Sequence, residues 1–143
     1  MIAIVGAMAA GAIGAGATIA VAQANVVKER QDNRKQAGAA MRAIKAVIDA
    51  KGPTAPAVEQ AAKLKTLEAA FVKMFPPGSD KDSKSLPVVW TDWAGFEAAS
   101  KAANAAFDKM ATAAGSGDMA ALQAAFADTG KACGACHDKF RAK

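Results

Sequence analysis

The only two cysteines and the only histidine of the chain lie together near its C-terminus, as Cys133-Gly134-Ala135-Cys136-His137. Two thiols three residues apart fall on one side of a helix. That spacing lets each sulfur add across one of the two vinyl groups on the same edge of a porphyrin, and it is the attachment pattern of c-type haem. The imidazole that follows directly can reach the iron from one face of the ring. Three other chemistries fit less well. A zinc site needs four ligands and only three are near. A dithiol redox pair belongs beside a βαβ pattern, which is missing. A plain disulfide would leave His137 without a role. The motif therefore predicts one covalent haem c, with thioether bonds from Cys133 and Cys136 and with His137 as the proximal iron ligand.

Such a group needs elements to hold it, and the hydrophobic periodicity supplies four helices. The first runs from about Val26 to Ala50, with Val27, Arg30, Arg34, Ala37, Met41, Ile44 and Ile48 inward at spacings of three or four. Gly52-Pro53 ends it. The second runs from about Pro56 to Phe75, with Val58, Ala61, Leu64, Phe71 and Phe75 on its apolar side, and Pro76-Pro77-Gly78 stops it. A polar loop, Ser79 to Ser85, is too charged to be buried. The third helix starts near Pro87, a residue suited to a first turn, and carries Trp93, Phe96, Ser100, Ala103, Phe107, Met110 and Ala114 on its seam. Gly115-Ser116-Gly117 closes it. Asp118 is the expected N-cap of the fourth, whose seam is Met119, Leu122, Phe126, Thr129, Cys133, Cys136 and Phe140. No Val/Thr/Ile-rich alternating run suggests a strand. The expected fold is all-α, an antiparallel four-helix bundle with the haem c covalently bound in its core. Alanine dominates the seams and buries little area, so the helices either pack very closely or leave room inside.

The first charged side chain is Lys28, and the stretch before it is rich in Ala, Ile and Val and ends in Ala22-Gln23-Ala24. That small-x-small ending is what signal peptidase accepts. Residues 1–24 are expected to be a secretory signal, or else an uncleaved anchor, and residues 25–143 the working domain. Either arrangement carries the domain across a membrane, where c-type haem is attached; the periplasm is the expected compartment. The net charge is +5. No Lys/Arg run interleaved with aromatics accompanies it, so no nucleic-acid partner is expected, and an acidic redox protein suits the charge.

The C-terminal motif on the last helix of a four-helix bundle resembles the class II c-type cytochromes, the cytochrome c′ family. The resemblance extends over the whole of 25–143. It includes Gly130-Lys131-Ala132-Cys133 before the motif and Asp138-Lys139-Phe140-Arg141 after it. It also includes Leu86-Pro87-Val88-Val89-Trp90, and Arg30-Gln31, Lys35, Gly38 and Met41 in the first helix. It implies that Arg30 lies near the haem propionates and that the chain forms a homodimer through its first two helices. Arg141, one turn after His137, is a further candidate for the propionates. Four residues after the arginine matching Arg30, low-spin members carry a ligating methionine and five-coordinate members an apolar residue. Here that position is Arg34, a departure from both patterns. Arginine stays protonated and is a poor iron ligand, so a high-spin, five-coordinate iron is expected. Arg34 has three open destinations: a propionate, solvent with a carboxylate partner, or the distal pocket as a hydrogen-bond donor. The second is preferred. Met41, seven residues further on and about 10.5 Å along the axis, is the rival sixth ligand; its preferred reading is core, as for Met74, Met110 and Met119. Trp90, Trp93, Phe96, Phe126 and Phe140 read as bundle or haem-wall residues. The expected function is one-electron transfer, with nitric oxide or carbon monoxide binding at the open iron position as the alternative. With no distal histidine and no paired acid and base, no enzymatic role is expected.

Overall fold

The computed structural model describes the backbone of residues 15–143 and the side chains of residues 25–143. The expected export signal, residues 1–24, lies outside the residues whose side chains are described. Among the described residues no helix is long and apolar enough to cross a membrane.

Among the described residues five α-helices form: α1 (Ala15–Ala50), α2 (Ala55–Phe71), a short α3 (Val88–Thr91), α4 (Trp93–Ser116) and α5 (Met119–Phe140). The four long ones make the antiparallel bundle, and no strand occurs among the described residues. Each boundary has a local cause. Lys51 takes a left-handed turn (φ 53°) beside Gly52-Pro53 to separate α1 from α2. A 3₁₀ turn, Val72–Met74, closes α2 before the Pro-Pro pair, so the helix stops short of the expected Phe75. Gly117 (φ 81°) caps α4, and the Asp118 carboxylate accepts from the amides of Ala120 and Ala121 as the predicted N-cap of α5.

The expected continuous third helix is broken. Asp92 (φ −125°, ψ 60°) leaves the helical region and accepts from Gly95 N–H, which ends α3 and starts α4 afresh. The break resets the register. Trp93, expected in the seam, is 36% exposed, whereas Phe96 to Ala114 keep the predicted spacing and are buried. Val58 is a second departure: it is 38% exposed, because Ala57, one residue earlier, carries the α2 seam.

Two apolar clusters fill the bundle. One holds Ile44, Leu64, Phe107, Met110 and Leu122 with six alanines, and Met41 and Met119 pack against it. Small residues let the helices approach closely there. The other, nearer the C-terminus, is aromatic: Phe75, Val89, Phe96 and Phe140, flanked by Phe71, Trp90 and Cys136. Phe96 meets Phe75 edge-on at 4.8 Å and Phe140 at 5.4 Å. Neighbouring helices pack extensively around the bundle except at one seam: α1 and α5 barely touch. The lean seams thus pack closely at the alanine-rich end, while α1 and α5 stand apart.

Candidate haem site

The candidate haem residues sit on two helices, except Arg141, which lies just past the end of α5. Cys133, Cys136 and His137 come from α5; Arg30 and Arg34 come from α1. Both thiols are free and half-buried. Burial pushes both thiols above their ordinary value, Cys136 to about 11; the Glu68 carboxylate adds to this and the Arg34 guanidinium opposes it. Both are therefore neutral thiols at physiological pH. His137 is pushed below 6.5 by partial burial first, then by the Arg141 and Arg34 charges. Its imidazole is neutral at pH 7, with a lone pair available for a metal.

Arg30 gives the plainest test of whether a haem fits. It is 4% exposed, and its Nη2 donates to the Ser79 carbonyl. Its guanidinium carbon lies 4.6 Å from the Phe75 ring centre and 5.8 Å from that of Trp90. Nε and Nη1 have no partner at all. A buried cation with two orphaned donors is costly unless an anion joins it, and desolvation already pulls its pKa down. A carboxylate on an otherwise apolar ligand meets that need, and haem propionates are such carboxylates. The neighbouring aromatic cluster, which Cys136 touches, supplies apolar walls. The donor set, the orphaned cation and the seam together fit a haem.

Arg34 does pair with a carboxylate, but not in the solvent-facing manner preferred from the sequence. Its Nη1 donates to Glu68 Oε2 at 2.7 Å, where the Glu68 side chain is only 7% exposed. The guanidinium lies 3.7 Å over the Phe71 ring. Its Nε and Nη2 donate to Asn33 Oδ1, and Nη2 also to Leu67 O at 3.3 Å. Glu68 Oε1 accepts from Ser100 Oγ at 2.8 Å. This polar layer separates the two apolar clusters. Glu68 and Asn33 were missed in the sequence, although a signal existed: position 68 is four after Leu64 and three before Phe71, squarely on the seam. Ser79, expected exposed in its loop, is 1% exposed, because its carbonyl is the acceptor for Arg30. Arg141 is exposed beyond α5; its backbone N–H donates to the His137 carbonyl at 3.1 Å, and it bridges to Ser85. Met41 packs against the alanine-rich cluster, as expected of a core methionine.

A covalent haem-binding helical bundle is the class that this fold and donor set define, and comparison with known proteins narrows it. Residues 25–141 match the family described as Cytochrome C′. A cytochrome c′ from Rubrivivax gelatinosus is 44% identical over 107 residues, 73% of this chain and 80% of the relative. A cytochrome c-556 from Agrobacterium tumefaciens is 34% identical over 84% of this chain and 99% of its own length. Among solved structures, the Rubrivivax gelatinosus cytochrome c′ superposes with a TM-score of 0.75 at 35% identity, covering 84% of this chain and 97% of that one. A nitric oxide complex of a cytochrome c prime variant from Alcaligenes xylosoxidans gives 0.77 at 32% identity, covering 85% and 96%. The chain belongs to the cytochrome c′ family, the class II c-type cytochromes, and carries a covalently attached haem c.

Proposed function

We propose that the chain is an exported one-electron carrier whose iron has His137 on one side and no protein ligand on the other. One observation carries this. The α1 position that faces the seam one turn after Arg30 is an arginine, and four hydrogen bonds hold it to Asn33, Leu67 and Glu68. The methionine nearest along α1, Met41, is packed in the core. Haem supplies a one-electron couple and a free coordination position. The chain supplies the rest. Cys133 and Cys136 fix the group to α5, the neutral His137 imidazole binds the metal, and Arg30 meets a propionate. Phe71, Phe75 and Phe96 keep water from the seam.

The family match begins at residue 25, where the export signal is expected to end, and supports a periplasmic location. All 18 basic and 13 acidic side chains lie from Lys28 onward, so the domain keeps its +5 charge after cleavage and suits an acidic redox partner. Among the described residues, Val58 on the outside of α2 is one of two large hydrophobic residues facing solvent, consistent with a homodimer through α1 and α2. We assign no catalytic role.

A second reading, storage or sequestration of a diatomic gas, is favoured by relatives solved as a nitric oxide complex and as a carbon monoxide-bound variant. One experiment addresses both. A reversible optical redox titration showing one single-electron step supports the carrier, and a spectral shift of the reduced protein with carbon monoxide supports the open position. A reduced spectrum indifferent to the gas contradicts it.

A further inference from the structure

The Arg34 layer offers more than a reason for the missing methionine. Arginine has five N–H groups. Four of those of Arg34 are spent on Asn33, Leu67 and Glu68. The fifth, on Nη1, has no partner. Both oxygens of Glu68 are engaged, one by Ser100 and one by Arg34. The layer therefore presents a positively charged donor held in one orientation, and no idle base. The plane of the guanidinium is fixed further by Phe71 beneath it. The Arg34 side chain is 33% exposed. The layer is also near α5, since Arg34 lies over Phe71, and Phe71 and Cys136 pack against the same aromatic cluster.

We propose that Arg34, braced by Glu68 and Asn33, is the specificity-determining residue on the haem side opposite His137, and that it makes this site accept small monovalent anions. This rests on the open coordination position argued above. A charge-assisted hydrogen bond favours an anion far more than a neutral diatomic gas, so Arg34 acts on one ligand class and not on the other.

The test uses the intact haem-loaded protein and azide as the probe. Azide is titrated into the oxidised form and carbon monoxide into the reduced form, each followed by absorption, for the parent and for Arg34→Leu, Arg34→Lys and Glu68→Gln. Arg34→Leu is expected to weaken azide about tenfold or more and to leave carbon monoxide affinity within about threefold. Arg34→Lys, which keeps the charge without the fixed fork, falls between. Glu68→Gln removes the counter-charge and tightens azide. Retained carbon monoxide binding certifies that each variant has kept its site. A parent that binds carbon monoxide, but whose azide affinity is unchanged by Arg34→Leu, overturns this inference alone. A parent that responds to neither ligand overturns the open position and this inference with it.

Discussion

At the scale of single residues, the attachment chemistry was legible because it needs an unusual spacing that little else requires. In the proposed attachment Cys133 and Cys136 each supply one bond, so each is separately removable. With Cys133→Ala, denatured protein extracted with acidified organic solvent is expected to keep its pigment through Cys136; with both replaced, the pigment leaves the chain. Retention in the double variant contradicts the assignment. His137 has a defined acid response. Its folded pKa lies below 6.5, so the unfolded chain takes up the proton first. The contribution of neutral His137 is complete above 6.5 and is lost as pH falls from there through the folded value. For the haem-free chain, a denaturant midpoint steady from neutral pH upward and falling on acidification is the expected profile; a midpoint that rises on acidification contradicts it. What the sequence concealed at this scale was the company of Arg34. Periodicity marks position 68 as inward, but a glutamate there reads as surface until its partners, Arg34 and Ser100, are known to converge from two other helices. Pairing across helices is set by bundle register, and no single helix encodes that.

At the scale of elements, four long helices and the Asp118 cap were readable from apolar spacing and from the Gly/Pro punctuation. The ends were less so. A 3–4 alternation runs through Asp92 without a visible fault, yet Asp92 satisfies the start of α4 with its own carboxylate and breaks the helix. Its bond from Lys139 at 2.6 Å ties that break to the last turn of α5. Gly95 shows why the corner is specific: a Cβ on Gly95 would collide with all three carboxylate atoms of Asp92. Alanine is ordinarily the better helix former, by roughly 0.5–1 kcal/mol. Here Gly95→Ala is expected to lower stability instead, because the new methyl expels the cap. A denaturant midpoint below that of the parent is the expected result, and a midpoint above it means the corner does not depend on Asp92.

At the scale of the molecule, one asymmetry organises the rest. Three of the four neighbouring seams are closed and α1–α5 is open. The closed end is built of alanines and fully buried Ile44, Leu64, Met110 and Leu122. Each large side chain there contributes about 1.5–3 kcal/mol by burial. The open seam has a thiol-bearing wall on α5, a cationic wall on α1 and an aromatic end. Composition hinted at this through the shortage of large side chains, but which seam opens depends on how four helices are shared among neighbours. The account requires that seam to hold iron with nothing from α1 bound to it. Electron paramagnetic resonance of the oxidised protein at neutral pH reads this directly. A high-spin signal that persists unchanged in a Met41→Leu variant is the predicted result. A low-spin signal that is lost on replacing Met41 would contradict it.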